Sequence, residues 1–94
     1  MNQIIDTRQA AEAVKMGTIL TVQHGTVTER FRYEVQVFLS DYVLRLYGTV
    51  NEGRATITLL LRRDGTLVKA LFRREDWCGA AAAMGVGCTV TVGE

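Results

Sequence analysis

The side chains in this 94-residue chain that could do chemistry are one histidine, two cysteines, ten carboxylates and eleven cations, nine of them arginine. His24 stands at the end of a β-rich stretch, Thr18 to His24, with no Asp, Ser or Cys close by in sequence. A general base needs a nucleophile in reach and a third group to orient it, so His24 alone nominates no catalytic centre. Cys78 and Cys88 lack the second cysteine pair or histidine cluster of a zinc site and are expected to be reduced, buried, small apolar residues. Glu34 and Asp41 share one hairpin, but Asp41 falls in its loop and Glu34 is expected to face solvent beside Arg32 and Arg45. Two-carboxylate hydrolysis needs both groups in one cleft with separated pKa values. The glycines Gly48, Gly79, Gly85 and Gly87 match neither phosphate-loop nor dinucleotide spacing, and no Lys-Ser/Thr follows them. The chain is therefore expected not to be an enzyme and to need neither cofactor nor metal.

Charge narrows the partner classes. A formal net charge of +1 removes the strong electrostatic expectation of DNA, RNA or anionic membrane. Arg62 and Arg63 flank the Asp64-Gly65 tip of a hairpin, whereas Arg54, Arg73 and Arg74 belong to its open end, about 30 Å away at the ordinary strand rise. They do not form one patch. The N-terminus lacks a basic segment followed by an apolar one, and no apolar run approaches the ~20 residues that span a bilayer. A cytoplasmic protein is expected, built as one domain over residues 1–94.

The elements that would position these groups follow from patterning. Asp6-Thr7-Arg8-Gln9 has capping-box spacing, Ala10, Ala11, Ala13 and Val14 follow, and Gly17 supplies a stop, which predicts a first helix. Thr18 to His24 predicts a strand. Phe31, Tyr33, Val35, Val37 and Leu39 alternate with polar residues, so a two-residue Ser40-Asp41 loop would pair Val37 with Leu44, Val35 with Leu46 and Gln36 with Arg45. Beyond Asn51-Glu52-Gly53, Arg54 to Leu61 folds back through Asp64-Gly65, setting Leu61 opposite Val68, Leu59 opposite Ala70 and Ile57 opposite Phe72. Glu75 and Asp76 open a predicted second helix carrying Trp77, Ala80, Ala81 and Met84, with Gly85 as its stop, and Cys88 to Val92 predicts a last strand. The expected fold is α+β: a mainly antiparallel five- or six-stranded sheet, order α-β-β-β-β-β-α-β, with both helices packed on one face.

One feature points to a function. The predicted register places Leu60, Leu67 and Leu71 on the face opposite the core, among Arg62, Lys69 and Arg73, with Arg45 on the corresponding face of the neighbouring hairpin. An apolar stripe rimmed by cations fits a protein contact surface. The expected function is a non-enzymatic protein-binding module, an inhibitor or accessory subunit occupying a surface of a larger partner, of the kind carried by phages and mobile elements. The alternatives are a single-stranded nucleic-acid-binding module that uses an open sheet face and arginines, and a homo-oligomeric (dimeric) structural protein.

Overall fold

The computed structural model describes residues 18–51, 53–77 and 85–92. They form six strands: β1 (Ile19–His24), β2 (Val27–Ser40), β3 (Val43–Val50), β4 (Gly53–Leu61), β5 (Leu67–Arg74) and β6 (Val86–Val92). Each strand pairs antiparallel with the next, and β6 returns to β1, so the sheet closes into a barrel. This corrects the α+β expectation, because no helix occurs among the described residues. The first predicted helix, 6–17, lies outside them. Of the second, Glu75 and Asp76 form a turn and Trp77 is irregular, while 78–84 lie outside.

The reason for the correction is closure. Alternation along a strand marks an apolar face but does not say what covers it; a helical layer and the far wall of the same sheet are equivalent answers. Here the sheet covers itself. Leu20 and Val22 of β1, Phe31 of β2, Leu44 and Leu46 of β3, Ile57 and Leu59 of β4, Phe72 of β5 and Val90 of β6 meet in one interior and are at most 1% exposed. Each such aliphatic or aromatic side chain contributes roughly 1.5–3 kcal/mol on burial. Closure also removes the two unpaired edges that an open sheet would leave.

The sequence-derived registers hold in part and slip at identifiable places. In the β2–β3 hairpin, Arg32 pairs with Thr49 and Tyr33 with Gly48, as simple alternation requires. An irregularity between Tyr33 and Val35 then leaves Glu34 as an extra residue. Beyond it Val35 faces Tyr47, Gln36 faces Leu46 and Val37 faces Arg45, one residue away from the predicted pairing. A bulge of this kind turns all following side chains over. Gln36 and Phe38 thus take the inward face, and Val35 and Val37 take the outward one. A second irregularity between Phe38 and Ser40 moves the loop to Asp41-Tyr42.

In the β4–β5 hairpin the pairs Ile57–Phe72 and Leu59–Ala70 form as predicted. The tip differs. The Gly65 amide donates to the Arg62 carbonyl and the Arg62 amide to the Thr66 carbonyl, which makes a three-residue loop with Gly65 at φ 89° instead of a two-residue turn. Leu61 therefore meets Leu67, and Val68 becomes the extra residue that restores the register below.

The bend in β2 has a steric counterpart in Gly48. A Cβ there would lie 2.7 Å from Cζ of Phe31 and inside the carbonyl oxygen of Arg32. Only glycine lets β3 pass beneath the Phe31 ring at the point where β2 passes from β1 to β3.

Candidate functional site

The bulge at Glu34 creates the most distinctive surface of the molecule. Val35, Val37, Phe38, Leu39 and Tyr42, all in the β2–β3 hairpin, are 42–54% exposed. Five large apolar side chains are thus exposed within eight consecutive residues, Val35 and Val37 on the outward face and Phe38 on the inward side near the hairpin tip, a local density of exposed apolar surface of the sort that marks contact surfaces. The strands continue it across the barrel wall. On the outward face Val35 neighbours Tyr47, Thr56 and Arg73 in one row; Val37 neighbours Arg45, Thr58 and Leu71 in the next; Val43, Leu60 and Lys69 form a third.

Five of the seven residues expected at a partner site therefore share this outer face. Leu60 and Leu71 are half-buried in the middle of it, and Lys69 is exposed opposite Leu60. Arg45 is held in place by its Nε, which donates to Thr58 Oγ1 at 3.3 Å. Arg73 lies opposite Thr56, half-buried, and its Nε is buried without a hydrogen-bond partner among the described residues. The other two are elsewhere. Leu67 packs against the core opposite Leu61, and Arg62 is exposed in the β4–β5 loop. Val35 and Val37 were not legible as surface, because their alternation is that of a core strand; the extra residue at Glu34 is what turns them outward, whereas Phe38 is exposed on the inward side of the register, near the hairpin tip.

A second polar group sits at the opposite end of the barrel. His24 and Val27 flank the Gly25-Thr26 turn, and His24 Nε2 lies 3.0 Å from Oε2 of Glu29, two residues further along β2. Arg74 Nη1 donates to Glu29 Oε1 at 3.0 Å, and Arg74 Nε contacts Asp76 Oδ1 at 3.4 Å. The imidazole stacks on Phe72 with ring centres 5.1 Å apart, and Trp77 meets both rings edge-on. The partner of His24 is a glutamate five residues on, a type and spacing that match no base-nucleophile pair in the sequence. Glu29 is inward-facing, opposite Val22, and the tight turn brings it to the imidazole. Both carboxylate oxygens are thereby engaged, one by the imidazole and the other by the Arg74 guanidinium.

Cys88 is a free thiol on the inward side of β6, and burial pushes its pKa up to about 12. A thiol so disfavoured as thiolate is a poor nucleophile. Cys78 lies outside the described residues. Comparisons of the chain with family models, with curated proteins and with solved structures find no match.

Proposed function

We propose that this protein is a non-enzymatic binding module that occupies a surface of a larger protein in the cytoplasm, as an inhibitor or accessory subunit, through the outer face of β2–β5. The observation that carries the reading is the exposed apolar run of the β2–β3 hairpin, Val35, Val37, Phe38, Leu39 and Tyr42. A hydrophobic centre beside the aromatic Tyr47 and the cations Arg45, Lys69 and Arg73 matches the composition of protein interfaces, which favour aromatics and arginine. The engagement of Glu29 by His24 and Arg74, together with the suppressed Cys88 thiolate, favours binding over nucleophilic catalysis.

The test is site-specific photocrosslinking in the native host. A crosslinking amino acid at Val37 should capture one discrete protein, and the same group at Thr28, on another part of the wall, should not. Val37→Glu should abolish co-purification of that protein while leaving the fold intact. If light scattering shows instead a dimer that Val37→Glu dissociates, the surface is a homodimer seam. Loss of biological activity in a folded His24→Ala protein, with Val37→Glu fully active, would overturn the binding reading in favour of catalysis.

A further inference from the structure

We propose that the open edge of β2, at its hairpin end, pairs with the same edge of a second copy of this chain. The pairing goes beyond the binding reading and does not rest on it, because it uses the backbone edge of one strand and leaves the outer face of β3–β5 free for a partner. β1 accompanies β2 only over Val27–Arg32, with one further bond from the Tyr33 amide to the Thr18 carbonyl. From Glu34 to Ser40, β2 has β3 on one side, and on the other side no strand adjoins it among the described residues.

The backbone groups at this edge follow from alternation, since successive residues of an antiparallel strand aim their amides and carbonyls at opposite neighbours. The Tyr33 amide points to β1, so Gly48, opposite it, points to β4. Tyr47 and Arg45 then point back to β2, where they face Val35 and Val37. Gln36 and Phe38 therefore aim their amides and carbonyls at the open side. Edges of this kind are ordinarily blunted by lysine, proline or charge, because they template pairing with another chain. The run Val35-Gln36-Val37-Phe38-Leu39-Ser40 contains none of these. Its four large apolar side chains are 42–54% exposed.

A second copy complements this edge. An antiparallel two-fold through Val37 sets Gln36 opposite the other copy's Phe38, and Phe38 opposite its Gln36, so both open amides and both open carbonyls are satisfied together. Val37 meets its counterpart in the close, non-bonded pair, about 4.5 Å between Cα atoms, and no charge within the run meets a like charge. At ordinary side-chain areas the exposed parts of Val35, Val37, Phe38, Leu39 and Tyr42 offer roughly 450 Å² on each molecule, or about 900 Å² across a pair before the backbone is added. That lies near the lower limit of specific interfaces and sets the expectation of a weak dimer, with a dissociation constant on the order of 10 μM.

Sedimentation velocity of the whole chain across a concentration series, with amide hydrogen exchange at its two ends, provides the test. A monomer–dimer equilibrium is expected, and exchange at Gln36 and Phe38 should slow as the dimer fills. In a Cys78→Ser background, Val37→Cys should form a disulfide-linked dimer in air well ahead of Val35→Cys, which lies two residues from the axis. Phe38→Pro, which removes an edge amide and sets a ring against the other copy, should weaken the dimer by about tenfold or more. Lys69→Glu, exposed on the outer face of β5, should leave it unchanged. Should Phe38→Pro fail to fold, Val37→Lys, at an exposed position, places two cations face to face and should dissociate the dimer in the same way. A protein that stays monomeric at several hundred micromolar would overturn the proposal, as would a dimer that Lys69→Glu breaks and a folded Phe38→Pro protein retains. Full protection of Gln36 and Phe38 at the lowest concentration would also overturn it, since the edge would then be paired within one chain. Protection that appears only with a partner captured through Val37 would assign the edge to a strand of that partner instead.

Discussion

Val37→Glu and Leu59→Glu put the same charge into two strands whose sequences both alternate like core strands, and the structure predicts opposite results. Val37 is 42% exposed on the outer wall, whereas Leu59 is fully buried opposite Ala70. At Val37 the carboxylate stays solvated, faces Arg45 across the pair, and forfeits only part of a valine's contacts, for a loss of about 1 kcal/mol or less. At Leu59 the substitution removes the leucine packing, worth roughly 2–5 kcal/mol, and adds a carboxyl with no partner in an interior that holds no buried polar residue among those described, worth several more. Domains of this length have total stabilities of roughly 5–14 kcal/mol, so Leu59→Glu should leave little or no folded protein. Urea melts followed by Trp77 fluorescence provide the assay: this is the sole tryptophan, and it packs edge-on to Phe72 with ring centres 5.9 Å apart. At roughly 5 °C per kcal/mol, Val37→Glu should lower the melting temperature by no more than about 5 °C. Equal damage from the two substitutions would mean that Val37 faces the core, and the bulge at Glu34, with the surface built on it, would have to be abandoned.

Three further outcomes follow from particular residues. Gly48→Ala should cost about 3 kcal/mol, the upper range for overpacking, because its Cβ meets both the Arg32 carbonyl and the Phe31 ring; a change below 0.5 kcal/mol in urea melts, on the order of a neutral surface substitution, would count against that close approach. Cys88, in a Cys78→Ser background, should be alkylated by iodoacetamide near neutral pH on the order of a thousandfold more slowly than a free thiol, and reaction at the free-thiol rate in the folded protein would contradict its burial. Asp64 accepts hydrogen bonds from the Thr66 amide at 3.0 Å and the Thr66 hydroxyl at 2.7 Å, which hold its carboxyl below the usual carboxylate range. Since the folded pKa is the lower one, its contribution is present above the unfolded pKa and is lost as pH falls through the folded value; a carbon-detected titration should show the depression, and Thr66→Ala should raise the midpoint toward that of a free aspartate.

The approximate positions of the strands were legible, because alternation, β-branched runs and glycine turns are local signals, each read within a few residues, although β2 begins at Val27, ahead of the alternation that marks it, and β6 at Val86 instead of Cys88. The core pairs Ile57–Phe72 and Leu59–Ala70 were legible for the same reason: alternation around one tight hairpin sets a register without reference to the rest of the chain. Leu60, Leu71, Lys69 and Arg73 were likewise placed on the outer face by that register. What only the tertiary structure decided is everything that depends on a strand having two neighbours. β2 must leave β1 and join β3 to close the barrel, and the extra residue at Glu34 lies where that transfer occurs, so Val35 and Val37, patterned as core, emerge on the surface. The same transfer leaves β2 without a β3 partner below Arg32, and a cavity there is lined by residues from four separate stretches of chain, at Ile19, Val27–Arg32, Thr49–Asn51 and Arg74. Closure itself replaced the expected helical layer among the described residues, since a curled sheet buries its own apolar face once β6 pairs with β1.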